Sequence, residues 1–391
     1  MALRSALARP AASVSRGRTA ARTVAMSAAP VVAPAKTVAT DAAVRERAKA
    51  AVLGGLLADI ATMPLHWIYD VPKMNELLAS KGMSAAAPEF FPEPSCPFYQ
   101  HPYGALSPYG HELIPLLQSM AANGGEFDEA KYAEAFYTYF TATEPNAYRN
   151  HSVRALVTNW EEGKRGREVG HNTDYQANCF AKASLLVARY AGKPELRQVV
   201  EAAVRVQQDN DQAVAYGLAG ALLLEKVVLG HTIEEALAWA ASEGALPAEI
   251  RALVERAVAS RSTPLRELTY EPVPYMQEMV GKHMAIKDQL PPFTVAVWCN
   301  GPACGNPAAF TNVAMTAAVY GGAGSSSSSS GNAYVDGVRA NLMAGGDNCS
   351  RSLLIGALLA AESGLGSLPA EWRTKATKLA EYEVLVDKLF V

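Results

Sequence analysis

Helical periodicity runs through most of this chain. Between Arg45 and Thr62, the positions Leu53, Leu56, Leu57 and Ile60 recur at the three-to-four-residue spacing that puts apolar side chains on one helix face. The same spacing predicts a helix over 112–123, with Pro115 near its first turn, and another over 128–141, where Tyr132, Ala135, Phe136, Tyr139 and Phe140 share a face. Further helices are predicted over 150–161, 176–191, 195–206, 211–229, 232–242, 247–259, 308–320, 333–343, 350–363 and 370–388. Long two-residue alternation, the mark of a half-buried strand, is absent. The pattern therefore predicts an all-α domain over 45–391.

Two stretches interrupt it. Residues 70–110 hold Pro72, Pro88, Pro92, Pro94, Pro97, Pro102 and Pro108 among many aromatics. Proline removes a backbone donor and clashes inside a helix, so this reads as a long connection, the kind that often carries function. The second is a Gly/Ser-rich insertion over 320–332, a flexible composition to which no chemistry is assigned.

Composition narrows the picture. The chain has 391 residues, half of them hydrophobic, enough for a sizeable core. A net charge of −3 offers nothing that points to nucleic acid. No charge-free apolar run reaches 18 residues, so no membrane partner is expected. Residues 1–40 differ from the rest: they contain Arg4, Arg9, Arg16, Arg18, Arg22 and Lys36, no acid, and much Ala, Ser, Thr, Pro and Val. That is the composition of an organelle transit peptide, and residues 1–44 are expected to be a transit segment and linker, for a chloroplast rather than a mitochondrion. The five cysteines (Cys96, Cys179, Cys299, Cys304, Cys349) are scattered, which argues against a disulfide framework. Cys299 and Cys304 lack a matching Cys or His pair nearby and are read as non-metal.

The chemistry concentrates at polar helix starts. Ala344-Gly345-Gly346-Asp347-Asn348-Cys349-Ser350-Arg351-Ser352 leads straight into the apolar run 353–361. Two glycines permit a sharp turn; Asp347 or Ser350 can cap the helix, and such a helix start attracts anions or, through the acid, a cation. Asp59 lies inside an apolar run and needs a partner, a cap interaction or a solvent cleft. His66-Trp67 sets an imidazole among aromatics. Ser107-Pro108-Tyr109-Gly110-His111-Glu112 opens another helix, where Glu112 suits the helix dipole and His111 is a cleft candidate. The runs 171–178 and 207–212 repeat the arrangement, which suggests loops gathered at one end of a bundle. No nucleotide-binding glycine pattern, Walker-type lysine or nucleophile elbow is present.

Gly345-Gly346-Asp347, followed by Ile355-Gly356-Ala357 and by Gly364 through Pro369 and Trp372, resembles the C-terminal signature of the ADP-ribosylglycohydrolase superfamily. Leu53 through Pro64 resembles its first motif, and Ser107–Phe127 resembles the helix that carries its Thr-Asp-Asp-Thr motif. The resemblance covers 45–391 and implies an orthogonal multi-helix bundle. It also implies two Mg2+ ions, held chiefly by carboxylates, that orient ribose hydroxyls and water while an ADP-ribosyl bond is hydrolysed.

The chain departs from that pattern at the metals. Ser107-Pro108-Tyr109-Gly110 stands in place of Thr-Asp-Asp-Thr, and Asp347-Asn348-Cys349-Ser350 in place of Asp-x-Asp-Thr. A thiol is a poor magnesium ligand. Together these motifs are most similar to the J-type crystallin branch, which includes selenoprotein relatives. The expectation is a divergent hydrolase acting on an ADP-ribosyl or related small-molecule substrate with its bimetal motif degraded. Asp347, His111, Glu112 and Asp59 are then the catalytic candidates. His66, Ser107, Tyr109, Ser350 and Arg351 are the substrate-binding candidates, and Asp347 is a ligand for a single Mg2+ at most. The alternative is a catalytically inactive protein that binds an ADP-ribose-like ligand or is purely structural. A cleft enzyme of this design requires Asp59, His66, His111 and Asp347 to meet in one pocket.

Overall fold

The computed structural model describes residues 36–261, 277–322 and 329–390. Among these residues there is no strand, only two isolated β-bridges, Ile68 with Gly346 and Gln176 with Gly305. The helices are α1 (Ala42–Thr62), α2 (Val71–Ser80), α3 (Pro108–Ala122), α4 (Glu129–Thr138), α5 (His151–Glu161), α6 (Asn178–Ala181) and α7 (Ala183–Tyr190). After them come α8 (Leu196–Gln207), α9 (Asp211–Val228), α10 (Ile233–Ala240), α11 (Ala248–Ala259), α12 (Gln277–Ala285), α13 (Pro292–Asn300) and α14 (Ala308–Tyr320). The last are α15 (Ala333–Met343), α16 (Asn348–Ser363), α17 (Ala370–Lys375) and α18 (Leu379–Asp387).

Helices α1 and α16 form the central pair. Their axes approach closely because glycines face each other: a Cβ on Gly54 would stand 2.2 Å from Ala360 Cβ, and one on Gly356 would stand 2.4 Å from Gly54 O. Helix α1 with its extension to Leu65 is long and apolar enough to cross a membrane, but 94 % of that window is buried in the protein. It is a core helix. Helices α7, α9, α14 and α15 pack around the pair, and Tyr334 Oη seals it by donating to Gly54 O (2.8 Å).

Several boundaries differ from the periodicity. The 70–110 stretch contains a ten-residue helix, α2, because Pro72 falls in its first turn, where no N–H is required, and Asp70 caps it. Helix α3 begins at Pro108, four residues before the predicted start, and Pro115 lies inside it rather than in its first turn. The 176–191 segment is broken at Lys182 and the 370–388 segment at 376–378. Helices α12 and α13 have no counterpart in the predicted set. In α13, Phe293 through Cys299 are all buried, so no polar face exists to set a period. At the N-terminus, Val38 is buried and Asp41 caps α1, so the folded part starts before residue 45. Residues 1–35 of the expected transit segment and residues 323–328 of the 320–332 insertion lie outside the described residues.

Candidate functional site

The Gly-Gly-Asp turn is anchored first by backbone. Gly345 and Gly346 both have left-handed φ values (72° and 65°), and a Cβ on Gly346 would lie 2.5 Å from Pro302 O. Only glycine combines that φ with that approach. Gly346 N–H donates to Ile68 O (2.8 Å), Trp67 N–H donates to Gly346 O (3.0 Å), and Asp347 N–H donates to Pro302 O (2.8 Å). The 66–68 segment and the 301–307 loop are thereby clamped on either side of Asp347.

Asp347 is fully buried and caps α16, accepting from Ser350 N–H at 3.2 Å. Its Oδ1 also accepts from His66 Nε2 (2.8 Å), and its Oδ2 from Tyr109 Oη (2.9 Å). Trp67 hydrogen-bonds to the same carboxylate and stacks on His66. Burial pushes the Asp347 carboxyl up, but His66 and the hydrogen bonds from Trp67 and Tyr109 outweigh it and hold the group below the ordinary range. Burial pulls His66 down more strongly than Asp347 lifts it. Its Nε2 faces the carboxylate, and its Nδ1 pairs with Tyr99 Oη (2.7 Å).

Asp59 joins this cluster through α3. Its Oδ2 accepts from Ser107 N–H (2.8 Å) and its Oδ1 from Ser107 Oγ (2.5 Å). Burial pushes its carboxyl up to about 7 against the pull of those bonds. Cys349 lies between the two acids, with its Sγ 3.4 Å from Thr62 Oγ1, and burial keeps it a thiol. Every one of these side chains is at least nine-tenths buried except Tyr99 and Trp67.

The remaining predicted residues lie elsewhere. Burial pushes His111 down to about 3; its Nδ1 pairs with Tyr139 Oη (2.7 Å), and it lines a separate 200 Å3 cavity with His101. Glu112 is buried behind the cluster and accepts from the side-chain amides of Asn150, Asn178 and Gln207. These bonds tie α3 to the starts of α5 and α6 and to the end of α8. Arg351, expected to meet an anion, is fully buried, and its donors are taken by Asn341 Oδ1 (2.7 Å), Pro302 O and Gly345 O (3.0 Å each). It holds the turn from beneath. Ser350 Oγ donates back to Asp347 O (2.7 Å). Asp59, His66 and Asp347 thus share a closed cluster from which His111 and Glu112 are absent. The polar helix starts do gather: Asn178 and Gln207 meet Glu112, and Gln208 meets Asp174.

The donor set does not fit a pair of magnesium ions. Magnesium takes oxygen ligands at about 2.0–2.1 Å in octahedral array. The oxygens of Asp59 and Asp347 are already used as acceptors, and Pro108, Tyr109 and Cys349 supply no carboxylate. Among the described residues no group of three or more His, Cys, Asp or Glu is placed to share an ion.

Sequence reasoning singled out Asp347, His66, Tyr109, Asp59 and Ser107, but missed Tyr99 and the 301–307 loop. Gly301, Ala303, Gly305, Asn306 and Pro307 line a 750 Å3 cavity, while Pro302 O and Cys304 face the buried cluster. The glycines of Cys299-Asn300-Gly301-Pro302-Ala303-Cys304-Gly305 were the available signal.

A family model described as ADP-ribosylglycohydrolase matches residues 40–391. Crystallin J1A of Tripedalia cystophora is 27 % identical over 360 residues, covering 88 % of this chain and 96 % of that protein. Crystallin J1B of the same organism is 33 % identical over 201 residues, covering 48 % of this chain and 59 % of that protein. A solved structure described as an ADP-ribosylglycohydrolase-related protein complex shares the fold, with a TM-score of 0.58 at 17 % identity, covering 89 % of this chain and 98 % of that one.

Proposed function

The chain belongs to the ADP-ribosylglycohydrolase family, and from that premise we propose that it is a member that binds an ADP-ribose-like small molecule without hydrolysing it by the two-metal route. One observation carries this reading. Both oxygens of Asp347 accept from protein donors, with His66 and Tyr109 seated against the one signature acid that remains. A metal-activated water needs an open coordination site beside substrate, and a carboxylate acting as base needs reach to that water. The cluster offers neither. The adjoining 750 Å3 cavity lies within the size range of small-ligand sites. The crystallin relatives support retention of this fold in proteins named for something other than catalysis.

The rival reading is a metal-free hydrolase that uses the Asp347–His66–Tyr99 chain, and the order of those hydrogen bonds favours it. Against it stands the complete burial of His66, since an acid–base group must touch a proton of the substrate. Calorimetry with ADP-ribose, with and without Mg2+, beside a release assay on ADP-ribosylated protein and small ADP-ribosides, separates the two. Magnesium-independent binding with no release is expected. Release above the uncatalysed rate, or binding that requires Mg2+, overturns the proposal. We also propose that the basic, acid-free residues 1–40 carry a plastid transit segment; an intact N-terminus on protein recovered from plastids argues against it.

A further inference from the structure

Lys182 separates α6 from α7 and is buried together with a carboxamide and a carboxylate. Its Nζ donates to Asn178 O (2.9 Å) and to Gln207 Oε1 (2.6 Å). The other end of that carboxamide, Gln207 Nε2, donates to Glu112 Oε2 (2.7 Å) and to Ser152 Oγ (2.8 Å). Gln207 thus bridges an amine and an acid. Lys182, Gln207 and Glu112 are each at most 1 % exposed. Burial pulls the Lys182 ammonium down and pushes the Glu112 carboxyl up, while the attraction between the two charges opposes both shifts. Burial therefore favours the uncharged amine and acid.

These contacts bring reacting groups together. A C=O bond is about 1.2 Å long, so Gln207 Cδ lies within about 3.8 Å of Lys182 Nζ. Neighbours held this way react as if at very high concentration. A desolvated lysine is a nucleophile once it gives up its proton. A hydrogen bond to Oε1 draws charge away from Cδ, and an acid at Nε2 helps that nitrogen leave. Burial excludes water, the competing nucleophile. One buried acceptor of the cluster, Asn178 Oδ1, has no hydrogen-bond partner among the described residues and is left over to receive a departing N–H.

We propose that Lys182 and Gln207 become joined by an intramolecular isopeptide bond, with Glu112 as the acid–base group and ammonium as the leaving product. One proton passes from the Lys182 ammonium to Glu112. The freed Nζ lone pair attacks Gln207 Cδ and forms the Nζ–Cδ bond. Glu112 returns its proton to Nε2, the Cδ–Nε2 bond breaks, and the departing ammonia takes the surplus proton from Nζ. An ammonium and an amide become an amide and an ammonium, so atoms and charge balance with no co-reactant. The bond closes a loop between residues 25 positions apart. Gln207 O accepts from His171 N–H (2.9 Å), and Gln208 Nε2 donates to Asp174 Oδ1 (2.8 Å). His171 and Asp174 line the 750 Å3 cavity, so the cross-link fixes part of its wall.

Mass spectrometry and peptide mapping of the full chain, folded and then digested in denaturant, test this. The native chain is expected to be lighter than its sequence by one ammonia, to resist trypsin after Lys182, and to give a peptide pair joined between positions 182 and 207. E112Q is expected to keep a cleavable Lys182 and an unmodified Gln207, because losing an acid–base group slows such a step about a hundredfold or more. Cleavage after Lys182 together with an intact Gln207 in the native chain overturns the proposal. So does an ammonia deficit that maps elsewhere, such as to an asparagine succinimide. The native chain decides the bond even where E112Q does not fold. A cross-link as abundant in E112Q as in the native chain overturns the role given to Glu112.

Discussion

Asp347→Asn decides whether the buried cluster is a structural keystone or an idle catalytic centre. The substitution preserves shape and removes one charge. Asp347 accepts from His66 Nε2, Tyr109 Oη and Ser350 N–H, and its charge faces the buried Arg351 guanidinium, whose own contacts are one amide oxygen and two backbone carbonyls. The amide nitrogen of Asn must replace one acceptor oxygen; the Tyr109 hydroxyl can reverse to accept from it. The geometry therefore survives while the charge assistance of three bonds is lost. Hydrogen bonds to charged groups are worth about 1.5–3 kcal/mol each, and stranding a buried charge costs about 3–5 kcal/mol. We expect D347N to be destabilised by about 3–5 kcal/mol, against a total stability of about 5–15 kcal/mol for ordinary domains. For a chain this long that corresponds to a melting temperature lower by about 4–7 °C. Scanning calorimetry with a urea titration measures it, with an unchanged denaturant slope showing that the folded state stays intact. Acids kept for catalysis behave oppositely, because removing a strained functional group is commonly neutral or stabilising. A D347N protein that melts with or above the native one refutes the closed-cluster reasoning.

Three further outcomes follow from the same geometry. The carboxyl of Asp59 is raised above its unfolded value, so its contribution is full at low pH and is lost as pH rises through about 7. D59N, whose amide can accept from Ser107 N–H and donate to Ser107 Oγ, should flatten that loss, differing least from the native chain at pH 4 and exceeding it most at pH 9 in urea melts. Adding 10 mM Mg2+ or a chelator should leave the melting temperature within about 1 °C, since a tightly held ion stabilises in proportion to the logarithm of its concentration over Kd; a larger magnesium-dependent rise contradicts the donor-set argument. Gly356→Ala would drive a methyl to 2.4 Å from Gly54 O and 2.6 Å from Ala58 Cβ, and overpacking of the α1–α16 contact should cost about 1–3 kcal/mol in chemical denaturation.

The amino-acid sequence by itself determined the fold class, most of the helices and the family, because amphipathic spacing and the Gly345-Gly346-Asp347 turn are local properties of consecutive residues. It also pointed to Asp347, Asp59, His66, Ser107 and Tyr109, since acids and an imidazole within apolar runs must find partners. Helix α13 escaped because a helix buried on every side has no period, and α2 because a proline in the first turn looks like one that forbids a helix. Which groups meet was decided only by the tertiary structure. Asp347 and His66 are 281 positions apart, and Tyr109 reaches the same carboxylate from a third segment. Nothing local distinguishes an arginine offered to an anion from Arg351, spent on Pro302 and Gly345 carbonyls. Burial and partnership arise from long-range packing, and they separate a closed hydrogen-bonded cluster from an open site built of the same residues.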